Sequence, residues 1–224
     1  MTGQRATQIL HILRNSFSLP RWVDAPKDPF QTLIITVLSQ ATADRNTDRA
    51  FMNLSKKFPI TPKGLADARV EEIEEAIRVG GLFRNKSRTI KKLSCMILEQ
   101  FGGSLDFIYS LPLEEAREML LRMPGVGPKT ADVVLNFCAG KPTLPVDTHV
   151  NRVSKRLRLA PLDAGYEGVR EALQALYHPK DYLHVHLLLI SLGRRYCKAR
   201  KPVCKLCPVE TLCPSRQLGE ASDR

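Results

Sequence analysis

Six residues, Met123-Pro124-Gly125-Val126-Gly127-Pro128, constrain what this chain can fold into more than any others. Two prolines and two glycines in so short a stretch cannot continue a helix. Yet apolar residues recur at helical spacing on both sides of it: Leu113, Ala116 and Leu120 before, Ala131, Val134, Leu135 and Cys138 after. The pattern predicts two helices joined by a tight hairpin. Gly125 and Gly127 can both adopt positive φ and let another chain approach closely. Pro128 suits a first helical position, where its missing N–H is not needed. The amides at the start of the second helix would then face outward as an anion site that suits phosphate. An ordinary αα-hairpin explains the same pattern, so the turn alone leaves structure and function both open.

Lys129 and Asp147 narrow the choice. A lysine in the first turn of a helix faces the positive end of the macrodipole, where its charge is unfavourable. Desolvation would add to that, and both effects favour the neutral amine, the form that can make a Schiff base. Asp147 follows Pro145 and precedes a helix striped by Val150, Val153, Ser154 and Leu157. Aspartate is a favoured helix N-cap, so a structural role accounts for it. Capping and catalysis are compatible, because a carboxylate held by helix amides stays ionised and points in a fixed direction.

The cysteines form the second constraint. Four of the six fall in Cys197-x6-Cys204-x2-Cys207-x5-Cys213. No apolar run is long enough to span a bilayer and no leader of charged, apolar and small residues opens the chain, so the expectation is a soluble cytoplasmic protein. In such a compartment clustered cysteines point to a metal or to redox chemistry before disulfides. Zinc and an iron–sulfur group are both compatible with four thiolates. Cys95 and Cys138 lie on apolar faces and read as core thiols. His149, His184 and His186 read as packing or hydrogen-bonding residues rather than ligands.

Lysine and arginine outnumber aspartate and glutamate by 34 to 23, a formal charge of +11, which calls for a polyanionic partner. The charge is unevenly spread. Arg194, Arg195, Lys198, Arg200, Lys201 and Lys205 crowd the cysteines without an intervening acid, and Arg84, Lys86, Arg88, Lys91 and Lys92 form a second basic run suited to phosphate. Glu71, Glu72, Glu74 and Glu75 ride a helix that Gly80-Gly81 ends, a solvated face turned away from such a partner. Asp28-Pro29 starts a helix whose Phe30, Leu33, Ile34, Val37 and Leu38 form one buried face. Its end, Leu38-Ser39-Gln40-Ala41-Thr42, turns polar, and Gln40 alone reads as a helix-end residue. Leu82 and Phe83, at a turn before the second basic run, read as core.

The segment Leu120-x-x-Met-Pro-Gly-Val-Gly-Pro-Lys-Thr-Ala-x-Val-Val-Leu-Asn136, followed by Val146-Asp-Thr-His149, resembles the helix-hairpin-helix DNA glycosylases, and within them the endonuclease III family. The resemblance runs from about residue 6 to about residue 214. It implies an all-α fold of two domains: six helices with the hairpin over 23–141, and 1–22 plus 142–224 as an iron–sulfur domain. It also implies a bifunctional base excision repair enzyme, a DNA glycosylase and AP lyase acting on damaged double-stranded DNA. The lesion is an oxidised pyrimidine of the thymine glycol type, extruded from the duplex by base flipping. On this reading Lys129 is the nucleophile and Asp147 assists it. Gln40 enters the gap left by the flipped base, although its Leu-Ser-Gln-Ala-Thr setting is one residue shorter than the family's, and Leu82 is a second wedge. Gly125 and Gly127 meet the backbone, and Lys198, Arg200, Lys201 and Lys205 contact phosphates. Cys197, Cys204, Cys207 and Cys213 carry a structural [4Fe–4S] cluster. A monomer associated with a prokaryotic nucleoid, with no membrane partner, completes the expectation. Two rivals are a mismatch or adenine glycosylase of the same superfamily, which Lys129 disfavours, and a non-catalytic, redox-responsive DNA-binding protein, in which that lysine would be superfluous.

Overall fold

The computed structural model describes residues 2–19, 23 and 25–216. Residues 20–22 and 24 of the proline-containing connection, and everything after 216, lie outside the described residues. Among the described residues all regular structure is helical, and the chain divides into two compact units, Pro26–Lys141 and Met1–Ala25 with Pro142–Arg224.

The unit Pro26–Lys141 begins with α2 (Pro29–Ser39), since α1 (Thr2–Ser16) belongs to the other unit. Asp28 caps α2 by accepting the Gln31 amide at 2.7 Å, and Pro29 occupies the first turn. All five residues of the expected apolar face are buried. There follow α3 (Asp44–Lys57), α4 (Pro62–Asp67), α5 (Val70–Ile77), a 3₁₀ turn at Arg78–Gly80, and α6 (Phe83–Phe101). Last come α7 (Phe107–Ser110), α8 (Leu113–Leu121) and α9 (Pro128–Ala139). The two short segments α4 and α7 make this unit richer than the six helices the resemblance implies. Six and four residues are too few to show a helical period, and neither would be stable outside its packing. One core joins these helices, with Leu33, Ile73, Ile90, Leu93, Leu120 and Leu135 among its fully buried side chains.

The other unit packs α1 (Thr2–Ser16) with α10 (Thr148–Arg156), α11 (Tyr166–Leu176) and α12 (Tyr182–Arg195) around Ile9, Leu13, Val150, Val153, Leu173 and Leu189. The segment after α12 contains two short 3₁₀ turns, Cys204–Leu206 and Glu210–Leu212. Among the described residues no helix is long and apolar enough to cross a membrane.

Candidate functional site

The hairpin forms as the periodicity predicts, α8 and α9 meeting at Met123–Gly127. Its two helices are locked by a buried ion pair, Arg117 Nε donating to Asp132 Oδ1 at 2.9 Å and Nη2 to Oδ2 at 3.3 Å. Gly125 has φ of +77°. A β-carbon there would run into the Thr89 side chain, so both the conformation and the close approach require glycine. Gly127 differs from the expectation: its φ is −96°, which any residue adopts. What glycine leaves at 127 is room, since nothing lies within 4 Å of a β-carbon built there. It is the N-cap of α9 and, lacking a side chain, caps none of the first-turn amides. Gly125, Gly127 and Pro128 are exposed, and Lys129, in that first turn, is half-buried.

Gln40 ends α2 far away in sequence, yet its Nε2 donates to the Gly125 carbonyl at 3.2 Å. The fold thus brings Gln40 onto the hairpin turn. Leu82 stands 60% exposed as the N-cap of α6, in the left-handed region at φ +46°. Its exposure corrects the reading of this position as core, whereas Phe83 beside it is partly buried, with the Arg78 and Arg84 guanidiniums 5.6 and 5.8 Å from its ring centroid.

The second basic run separates by burial. Arg84, Arg88 and Lys92 share an exposed face of α6. Lys86 is instead buried, and Lys91 donates to the carbonyls of Ala66 and Ala68 near the end of α4. These two lysines serve carbonyls of the protein itself and do not form the phosphate-facing run that their spacing suggested.

In the other unit Asp147 is the N-cap of α10, its Oδ1 accepting from the Val150 amide at 2.7 Å. The loop before it is fixed from beneath: buried His186 donates from Nδ1 to the Pro145 carbonyl at 2.8 Å, and the Tyr166 hydroxyl lies 3.4 Å from the Val146 amide. Asp147 is half-buried and lines an open pocket with Asn151, Lys155 and Tyr166.

Cys197, Cys204, Cys207 and Cys213 line one cavity, together with Leu157, Leu192 and Val209. Burial pushes the Cys207 thiol up to about 11, partly offset by a hydrogen bond with the Val209 backbone, and the nearby Cys197, Cys213 and Cys204 sulfurs push it further. Among the described residues no three His, Cys, Asp or Glu side chains converge around the position of a single ion. Four thiols on one cavity are a donor set that both zinc and an iron–sulfur group accept. Arginines hold the segment in place. Arg156 donates to the carbonyls of Lys198 and Ala199 at 2.6 and 3.0 Å and approaches Cys197 Sγ at 3.5 Å. Arg152 reaches the Cys197 carbonyl at 2.9 Å, and Arg5 holds Leu157 and Leu212 at 2.8 and 3.1 Å. Lys198, Arg200, Lys201 and Lys205 are all exposed on this segment.

Comparison with known proteins agrees with this geometry. Residues 34–179 match the family model described as HhH-GPD superfamily base excision DNA repair protein. The chain belongs to that superfamily. Endonuclease III of Thermotoga maritima is 36% identical over 200 residues, 88% of this chain and 89% of its own. Endonuclease III of Escherichia coli strain K12 is 34% identical over 219 residues, covering 97% and 98%. A solved structure of a non-covalent endonuclease III–DNA complex superposes with a TM-score of 0.85 at 32% identity over 100% of both chains, and one of a trapped covalent endonuclease III–DNA intermediate does so at 33%. As a member of the superfamily with endonuclease III relatives along its full length, the protein is a base excision repair enzyme of the DNA glycosylase and AP lyase class.

Proposed function

We propose that this enzyme removes oxidised pyrimidines of the thymine glycol type from duplex DNA and then cleaves the strand, with Lys129 as nucleophile. The observation that carries the reading is the surrounding of Lys129. It opens a helix behind an exposed, uncapped turn, with Gln40 hydrogen-bonded to that same turn. First-turn amides without a side-chain cap and the helix dipole suit the phosphates flanking a lesion. Gln40 and exposed Leu82 are the groups that enter the base stack once the damaged nucleotide swings out, an opening that is easiest at pairs the damage has already weakened.

The neutral Lys129 amine then attacks C1′. The C1′–N bond to the base breaks, its electrons leaving with the base, which takes up a proton. Ring opening gives an imine between Nζ and C1′. Loss of a C2′ proton expels the 3′ phosphate by β-elimination, cutting the strand 3′ to the lesion. The Asp147 carboxylate, held in a fixed direction by the Val150 amide, stabilises positive charge on the sugar. Lys198, Arg200, Lys201 and Lys205 attract the backbone without reading bases. Cys197, Cys204, Cys207 and Cys213 would hold a [4Fe–4S] group, which when bound cross-links this loop, and glycosidic cleavage needs no electron from it. We further infer that the protein works at the nucleoid as a monomer.

Borohydride trapping on abasic-site duplex tests the proposal. The wild-type protein should cross-link, and Lys129→Gln should bind the same DNA yet lose cross-linking and strand cleavage by more than about 10³-fold. Cross-linking of Lys129→Gln at the wild-type rate would move the nucleophile elsewhere.

A further inference from the structure

Lys86 is 4% exposed, and its ammonium is fully engaged. It donates to the Leu38 carbonyl at 2.7 Å, to Thr42 Oγ1 at 2.6 Å and to the Gly80 carbonyl at 2.9 Å. The Thr42 hydroxyl accepts from Lys86 and has one proton to give. That proton goes to the Gly80 carbonyl, with the Gln40 carbonyl at 3.1 Å as the other acceptor. Leu38 and Thr42 bracket Gln40 at the end of α2, while Gly80 lies two residues before Leu82. One buried ammonium therefore ties together the two loops that carry Gln40 and Leu82.

Both loops hold a conformation that side chains seldom adopt. Ala41, next to Gln40, has φ of +51°, and Leu82 has φ of +46°. A left-handed non-glycine residue persists only where its surroundings fix it. Burying an ammonium is costly, and burial draws Lys86 below the ordinary lysine value. An apolar side chain would fill the same space at less cost. What the charge adds is three directed bonds, all of the chain's own making, to the backbone and the hydroxyl of two separate loops.

We propose that Lys86, with Thr42, is a positioning residue for duplex opening: it sets the spacing and the left-handed turns that aim Gln40 and Leu82 into the base stack. The proposal rests on the reading of those two residues as the groups that enter the duplex. It predicts a defect in opening DNA and none in the chemistry at Lys129.

The test places 2-aminopurine opposite an abasic site, where its fluorescence rises as the stack opens, and compares trapping on that duplex with trapping on an abasic site inside an unpaired bubble, where no opening is needed. Wild type should give the fluorescence rise and trap on both substrates; absence of both in wild type would sink the underlying reading rather than the role of Lys86. Lys86→Met and Thr42→Val should lose most of the rise and trap at least tenfold more slowly on the duplex, yet stay within about twofold of wild type on the bubble. Thr42→Ser, which restores the hydroxyl, should recover the rise. A Lys86→Met protein that opens the duplex as wild type does would overturn the proposal. So would an equal loss on duplex and bubble by a folded Lys86→Met protein, which places its defect outside duplex opening. Should Lys86→Met fail to fold, the Thr42→Val and Thr42→Ser pair decides, and equal behaviour of those two would also overturn it.

Discussion

The hairpin and the cysteine segment are held by opposite means. Between Leu113 and Ala139 the chain supplies its own framework: Ala116, Leu120, Ala131, Val134 and Leu135 are buried, and the Arg117–Asp132 pair closes the two helices on each other. Between Cys197 and Cys213 only Val209 is buried, and the regular structure is two three-residue 3₁₀ turns. That segment is fixed from outside itself, by Arg5, Arg152 and Arg156. The difference matches what we propose each region delivers. A nucleophile must be aimed closely and belongs on a packed helix. Attraction to phosphates tolerates looser geometry, so a pinned loop can carry it.

The contrast can be broken first at the hairpin. Asp132→Ala breaks the buried, two-bond pair with Arg117 and should cost about 3–5 kcal/mol, lowering the melting temperature by on the order of 10 °C. A loss below about 1 kcal/mol would mean that the pair does not hold the two helices. Next in size is Gly125→Ala. Positive φ and the encounter with Thr89 together should cost about 1–3 kcal/mol and weaken binding to lesion and undamaged DNA alike. Unchanged stability and binding would show that the turn has slack.

Arg156→Met tests the loop. Removing its bonds to Lys198 and Ala199 should leave the melting of the hairpin unit unchanged while iron, expected at about four per chain, is lost to a chelator several-fold faster. Stoichiometric zinc in an anaerobic preparation would contradict the cofactor assignment itself. Lys205→Ala should have the smallest effect: a few-fold weaker binding to any duplex, with the salt slope reduced by about one. Loss confined to one lesion would show that the loop reads bases.

Local features were legible in the sequence and distant ones were not. Asp28 and Asp147 cap their helices as their positions suggest, because an N-cap depends on a few neighbouring residues. The apolar stripes of the hairpin are likewise a local signal. At Gly127 the sequence allowed positive φ, whereas the chain there takes φ of −96° beside open space, which composition cannot distinguish. Lys86 and Lys91 looked like part of a phosphate-facing run because a charge pattern does not reveal which carbonyls the fold will bring beside it. The bond from Gln40 to Gly125 and the arginines that pin the cysteine segment span long stretches of chain, and no spacing rule reaches that far.

We infer that Lys129, on the packed side of this contrast, forms the covalent bond to DNA. Mass mapping of the borohydride-reduced adduct tests it directly, since reduction fixes the imine to the nitrogen that made it. Proteolysis of the cross-linked wild-type protein should yield one modified peptide, with the sugar remnant on Lys129 Nζ. An adduct on any other lysine or on the terminal amine, with Lys129 unmodified, would contradict the account.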